Sequence, residues 1–446
     1  MTSVPGQGLV ERRVSTLLAR LVDEEPVIAL HGPRSVGKST VLWKLAESRH
    51  VGVIDLDDIE TREALAGNPR VVAGGETPLC IDEYQRVPEV LDAIKARLNR
   101  DGTRPGLAVI TGSTRQDALP RTAQALTGRL HALTIWPLSQ GELAGVQEDF
   151  LTSLRVDAER TVAEQQPSDE TREGYAERAC AGGLPLARGR SESARARWFD
   201  DYVRQSVDRD AQELGQVRQR QALAELLSHV AAQSGRLLNV SRAAEVVGVD
   251  RKTAENYLRL LEDLFLVARL PAWGTDLRSR VNARSTVHLI DSGLAARLLR
   301  LTPAKLAEVE PSALAAFGQL LETFVVGELR KQASWLDEPV TLGHWRTSDG
   351  ADVDLVIEFD DGDVLAFCVE PNERVAPAAF HGLTQLRDGL GRRFRGGVVL
   401  STGSRSYPVG EKLYVMPIDR LWQVCSYPSA ARTRVVHPST WATMPS

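Results

Sequence analysis

Between an apolar run, VIAL at 27–30, and a predicted helix beginning near Lys38 lies GPRSVGKS, which satisfies G-x-x-x-x-G-K-[ST] through Gly32, Gly37, Lys38 and Ser39. No other feature constrains the fold of this chain as tightly. Such a loop needs a strand to deliver it, a helix N-terminus beneath it, and glycines that let phosphate oxygens approach the backbone. Gly32, Pro33, Arg34, Ser35, Val36, Gly37, Lys38, Ser39 and Thr40 are therefore the expected phosphate-binding residues. Lys38 would meet the β and γ phosphates of ATP, and Ser39, or Thr40 in its place, would offer a hydroxyl to Mg²⁺. The alternative is a glycine turn that matches by chance, against which the flanking strand and helix argue.

Around this loop the first 145 residues alternate apolar runs with helical patterns, as a parallel sheet with crossover helices requires. VGVIDL at 51–56, PLCID at 78–82, LAVIT at 107–111 and HALTIWPL at 131–138 supply four more strands. The third strand ends in Asp82 and Glu83. A strand-terminal Asp can hold the Mg²⁺ shell, and a neighbouring carboxylate can activate water for hydrolysis. Two solvated acids opening a helix are the plainer reading. Thr111 ends the fourth strand, where its hydroxyl can sense the γ-phosphate. Arg129, immediately before the fifth strand, can neutralise charge at a neighbouring subunit's nucleotide or be one surface arginine among 47; Arg115 and Arg121 compete for that role.

Residues 146–172 are polar, acidic and turn-rich, and read as a linker or exposed loop. From 173 to 310 the periodicity is helical. Within that stretch, LLNVSRAAEVVGVDRKTAENYLRLLEDLFLVARL resembles a winged helix-turn-helix. Ser241 would cap one helix, Gly248 would make the turn, and Asp250 would cap a second helix carrying Arg251, Lys252, Thr253, Asn256 and Arg259 toward DNA. Nine basic and six acidic residues between Arg236 and Arg284 give a local net of +3. The competing reading is a helix-turn-helix used only for packing. From 311 to 425 a helix (LLETFVVGELRKQ) precedes strands at LGHWR, VDLVIEF and VLAFCVE, a compact α/β unit; 426–446 is Ser-, Pro- and Thr-rich and reads as a disordered tail.

The chain as a whole carries -5 formal charges, so it lacks the global cationic field of many nucleic-acid binders. Seven Lys against 47 Arg reflect biased codon usage more simply than they reflect phosphate binding. Cys80, Cys180, Cys368 and Cys425 form no C-x-x-C, which fits a reducing cytoplasm. No stretch is expected to span a membrane, and a soluble cytoplasmic protein is expected.

Taken together, HGPRSVGKST, IDEYQRVPEVLDAIK, TGSTR, LTGRLHALTIWPLSQGEL, AGGLP, WFDDYVRQSVDRD, HLIDSGLAARLL and LLETFVVGEL resemble prokaryotic AAA-type P-loop ATPases with a C-terminal DUF4143 domain. The resemblance covers nearly the whole chain. It implies an α/β fold with an AAA-like core, a winged-helix middle and a C-terminal domain similar to PD-(D/E)xK nucleases. In such domains W-R-x-x-x-G-x-E-V-D-L-V precedes E-V-K on the next strand. Here His344-Trp345-Arg346 and Asp352-Val353-Asp354 keep the first part, but Cys368-Val369-Glu370 stands where E-V-K is expected. Asp354, with Glu322 or Glu328, could still bind metal; with Cys for the acid and Glu for the Lys, cleavage is not expected. The expectation is an ATPase coupling nucleotide state to DNA through these domains, or a nucleotide-controlled module whose C-terminal domain binds a protein partner, with a homo-oligomer an open possibility.

Overall fold

A computed structural model describes residues 8–423, apart from 116–125, 212–218, 275–283, 309 and 348–349. Arg121 and the 426–446 tail lie outside the described residues. Five parallel strands, β1 (Val27–His31), β2 (Val53–Asp55), β3 (Leu79–Asp82), β4 (Ala108–Gly112) and β5 (Leu130–Thr134), form a sheet of order β2-β3-β4-β1-β5. Its central strands are buried on both faces. Ile28 and Leu30 enter one core, while Val27 and Ala29 enter the other, which is why they read as unbroken apolar runs. Helices α1 (Arg13–Leu21), α2 (Lys38–Arg49), α3 (Ile59–Gly67) and α4 (Val90–Asp101) accompany the sheet.

The expected 146–172 loop is instead mostly helical. After α5 (Gln140–Ala144), α6 (Phe150–Val156) and α7 (Ala158–Ala163) bury Phe150, Leu151, Leu154 and Val162 against the large core. Four burials at roughly 1.5–3 kcal/mol each hold this polar-looking stretch down. Beyond it come α8 (Arg172–Ala181) and α9 (Glu192–Gln205), then three packed helices, α10 (Arg220–Ala232), α11 (Val240–Val247) and α12 (Arg251–Asp263). Asn239, not Ser241, caps α11, its side chain accepting from the Arg242 amide at 3.1 Å. Gly248 turns the chain at φ 69°, and Asp250 caps α12 as expected. A two-stranded antiparallel ribbon, β6 (Val267–Leu270) with β7 (Thr286–Leu289), follows. Asp291 then accepts from the amides of Gly183 and Leu294, tying AGGLP to α13 (Ser292–Leu298), after which comes the short α14 (Pro303–Ala307).

The last part is built on α15 (Pro311–Ser334) and a six-stranded mixed sheet of order β12-β13-β11-β10-β9-β8. Its strands are β8 (Val340–Arg346), β9 (Asp352–Phe359), β10 (Val364–Glu370), β11 (Phe394–Ser401), β12 (Tyr407–Gly410) and β13 (Leu413–Pro417), with α16 (His381–Leu390) packed on one face. Although no stretch is expected to span a membrane, α15 is by length and composition alone long and apolar enough to do so. It is instead half buried inside the protein, and Glu328, Lys331 and Gln332 are among its buried residues.

Candidate functional site

The strand β1 delivers the Gly32–Gly37 loop and α2 starts at Lys38 directly beneath it. Gly32 has no room for a side chain: a Cβ there would sit 2.3 Å from the Ile135 carbonyl oxygen. Ser35 and Gly37 both take positive φ, 59° and 99°. The Lys38 ammonium is buried and donates to the carbonyls of Gly32 (3.1 Å) and Pro33 (2.9 Å). Of the expected residues, Gly32, Pro33, Arg34, Ser35, Val36 and Gly37 form the loop and Lys38, Ser39 and Thr40 open α2, with the Lys38 ammonium folded back on the first two loop carbonyls.

Because β4 lies between β1 and β3, the end of β4 brings Thr111 against Asp82 at the end of β3, beside the end of β1 from which the phosphate loop departs. Asp82 is 5% exposed and accepts hydrogen bonds from the hydroxyls of Ser39 and Thr111. Burial raises its carboxyl above the usual range, those hydroxyls oppose the shift, and Glu83 and Asp55 add to it. Asp82 is not a solvated acid, although a short 3-10 turn, Tyr84–Arg86, does start directly after Glu83. Glu83 adopts a left-handed backbone, φ 54°, and its carboxylate accepts from Gln85 and from Ser113. The Thr111 hydroxyl was expected to face a phosphate. It is instead spent on the acids, donating to Asp82 and accepting from the Glu83 amide at 3.1 Å. Thr111 therefore orders the carboxylate pair. Gln85 and Ser113 were not singled out as site residues; only their contacts to Glu83 reveal them.

Arg129 lies elsewhere. Leu130 pairs with Val27 in parallel register, so Arg129 sits at the edge where β1 begins, a strand length of roughly 15 Å from the loop. Its guanidinium donates to Asn99. This removes any role at its own chain's nucleotide. Arg115 packs over Phe265, away from the carboxylates.

On α12, Arg251, Lys252, Asn256 and Arg259 are exposed along one side. Thr253 is not available, because both its amide and its hydroxyl are bonded to Asp250. Nearby cations are also partly matched, Arg242 by Glu245 and Arg269 by Glu255 and Glu262.

In the C-terminal sheet, Asp352, Asp354, Cys368 and Glu370 line a cavity of about 780 Å³ between β9, β10 and α16. Glu322 of α15 shares their field, and Glu328 does not: its carboxylate is occupied by Lys331 and by the Gln140 amide. Burial lifts the Glu322 carboxyl well above its ordinary value. It brings Asp354 up to about 7, with Asp352 and Glu370 adding to the rise. Cys368 is held well above the ordinary thiol range by burial and by Asp354. Glu370 turns toward Asn372, from which it accepts two hydrogen bonds. Among the described residues no three His, Cys, Asp or Glu side chains are grouped so as to hold a metal ion.

A strand-loop-helix phosphate loop on a parallel sheet, backed by a buried Asp on a non-adjacent strand, defines a P-loop ATPase fold. The model of the AAA domain matches residues 24–144, and two domains of unknown function, DUF8612 and DUF4143, match 172–305 and 317–421. The chain is an AAA-type P-loop protein with a C-terminal DUF4143 domain. An uncharacterized protein of Mycobacterium tuberculosis is 26% identical over 417 residues, covering 93% of this chain and 85% of the relative. An uncharacterized protein of Mycobacterium bovis aligns with the same figures. Among solved structures, a Walker-type ATPase of Pyrococcus abyssi aligns at 15% identity and TM-score 0.40, covering 65% of this chain and 96% of that one. AMPPCP-bound DnaA of Aquifex aeolicus aligns at 14% identity and TM-score 0.25, covering 57% and 89%.

His31, the last residue of β1, gives the site a pH signature. It is 4% exposed, its ring bonds the Tyr84 hydroxyl at 3.1 Å, and burial followed by the Lys38 charge lowers its pKa to about 4. Between pH 6.5 and 4 the unfolded chain holds a proton on His31 that the folded chain does not. The His31 contribution to stability falls as pH drops through that window, with a slope of up to about 1.4 kcal/mol per pH unit from this group. We expect His31→Gln, which can still bond Tyr84, to narrow the difference in denaturation midpoint between pH 7.5 and pH 5. An undiminished difference would assign the acid sensitivity to other groups.

Proposed function

We propose that this chain binds ATP with Mg²⁺ at the Gly32–Thr40 loop and hydrolyses it, and that the nucleotide state governs an interaction made by the helical and C-terminal parts. The hydrogen bond between Ser39 and Asp82 carries this reading. It joins the residue after Lys38 to a buried carboxylate with a raised pKa, a group that a divalent cation would relieve. Its oxygen donors suit a hard cation. When bound, Mg²⁺ would neutralise phosphate charge. Lys38 presents a point charge to the β and γ phosphates, and Ser39 and Asp82 hold the cation. Glu83, positioned by Gln85, Ser113 and the hydrogen bond that its backbone N–H donates to the Thr111 hydroxyl, orients a water and takes its proton. Arg129 serves, in this reading, a nucleotide on a second copy of the chain.

The helices α11 and α12 with the β6–β7 ribbon support a winged-helix reading. The exposed Arg251, Lys252, Asn256 and Arg259 favour DNA phosphates as its target. The C-terminal sheet with α15 is read as a nuclease-like fold without cleavage. Cys368 stays a neutral, soft thiol, Glu370 supplies the wrong charge, and Asp354 is half protonated near neutrality. A protein partner at the C-terminal domain is the second reading, and the carboxylates that partly match Arg242 and Arg269 weigh toward it only by weighing against DNA.

Lys38→Ala should abolish ATP binding, because the loop amides lose their central cation; retained affinity in a titration would end the ATP-site reading. Glu83→Gln should bind ATP normally and turn it over at least ~100-fold more slowly, the scale of a lost general base. Arg129→Ala should hydrolyse poorly alone and recover part of its rate when mixed with Glu83→Gln, since mixed assemblies contain intact interfaces. A monomeric mass with ATP and no recovery would remove the role in trans. Finally, ATP turnover should rise with duplex DNA and lose that rise as salt increases. Turnover indifferent to DNA, or plasmid cutting that disappears in Asp354→Ala, would overturn the DNA-engaging, non-cleaving reading.

A further inference from the structure

Just before α1, Arg12 is 8% exposed and uses all three arms of its guanidinium. Nη1 donates to the Val36 carbonyl at 2.7 Å, Nη2 to the Trp136 carbonyl at 2.6 Å, and Nε to Glu142 Oε1 at 3.0 Å. Glu142, whose side chain is fully buried, also accepts from the Arg13 amide at 2.8 Å and through Oε2 from the Ser139 amide at 3.0 Å. A planar fork with three fixed acceptors has one orientation.

One of those acceptors, Val36, lies in the phosphate loop, and another, Trp136, lies on the segment after β5 that packs against the loop's start. Val36 is the loop's penultimate residue before α2. Trp136 follows Ile135, whose amide donates to the His31 carbonyl at 2.7 Å and whose own carbonyl closes on Gly32. Within the loop, Ser35 takes a left-handed φ that costs a non-glycine residue on the order of 1 kcal/mol, a cost that contacts around it must offset. The Val36–Gly37 peptide is trans, so its carbonyl and its N–H point in opposite directions. Holding the Val36 carbonyl against Arg12 therefore turns the Gly37 amide hydrogen to the other face of the loop. A side chain at Gly37 would point back at Arg12, its Cβ 3.5 Å from Nη1.

We infer that Arg12 is a positioning residue for phosphate binding: with Glu142 fixing its fork, it clamps the Val36–Gly37 peptide so that the Gly37 amide is presented to a nucleotide phosphate. The inference rests on the ATP-binding reading. It adds a residue outside the loop motif, on a segment that precedes the sheet.

Titration of the full chain with Mg²⁺-ATP, below the melting temperature of each variant, tests it. Arg12→Gln should weaken ATP binding by roughly tenfold or more, the scale of a lost charge-assisted hydrogen bond. Arg12→Lys, a point charge that cannot reach all three acceptors, should restore only part of the affinity. Glu142→Gln, which keeps Arg12 but weakens its anchor, should lower affinity by a smaller factor and add little to Arg12→Gln. A residue that only holds the fold together would lower the melting temperature and leave the dissociation constant of the folded chain unchanged; that result overturns the inference. Should Arg12→Gln not fold, Arg12→Lys and Glu142→Gln decide, and wild-type affinity in both overturns it. Lys38→Ala separates the two levels. If it still binds ATP, the site reading itself falls. If it does not bind while the Arg12 variants bind normally, only the positioning role falls.

Discussion

A long helix that buries charge sets the arrangement of this molecule. Helix α15 packs Phe317, Leu320, Leu321, Phe324, Val325 and Leu329 into the large core, and on the same helix Glu328 and Lys331 are 1% and 7% exposed. Two ions out of water cost several kcal/mol each unless they are paired and hydrogen-bonded. They are paired with each other at 2.5 Å, but neither is saturated by that contact. Glu328 needs the Gln140 amide and Lys331 needs the Leu138 carbonyl, both from the segment that leaves the first sheet. Gln332 takes the Leu421 carbonyl at the other end of the chain. Shifting α15 against the P-loop sheet would strand a buried ion, so the AAA domain and the DUF4143 domain are held in register by electrostatics as well as by apolar packing.

The same logic explains which elements were legible. Parallel strands buried on both faces are near-continuous apolar runs up to their C-terminal ends, so β1, β3 and β4 stand out of the sequence. Strand β12 is exposed at all four of its residues and carries no such pattern. Helices α6 and α7 are seven and six residues long, too short for a period of 3.6 to repeat, and the charges between Phe150, Leu154 and Val162 suggest a loop. The cap of α11 was misplaced by two residues because Asn239 and Ser241 are both good capping residues, and only the geometry chooses.

At the site, what is local in the chain was readable and what is assembled by tertiary contact was not. The phosphate loop is nine consecutive residues, and Asp82 and Glu83 end a recognisable strand. Arg12 and Glu142 are 130 positions apart, and no spacing rule links them. Thr111 was found because of its place on β4, but its role changed once its hydroxyl proved to be shared between Asp82 and the Glu83 amide. Between Glu322 and Glu328, equally placed on one helix by sequence, burial partners decide: Glu328 is consumed by Lys331, and Glu322 remains in the field of Asp354.

The two acidic clusters resolve their repulsion differently. Asp82 has the Ser39 and Thr111 hydroxyls to oppose the rise that burial, Glu83 and Asp55 impose on its carboxyl. Asp354 has the Arg346 charge as a minor influence against Asp352 and Glu370, and its carboxyl moves to about 7. What keeps an acid at this position is visible in the strand pairing. The β9–β10 ladder runs from Val364 opposite Glu358 to Phe367 opposite Leu355. Past that point, where β10 continues, the Asp354 carboxylate accepts the Val369 amide at 2.7 Å. A side chain thus carries the cross-strand contact beyond the paired residues, which gives Asp354 a structural reason to persist beside Cys368 and Glu370 independent of any metal.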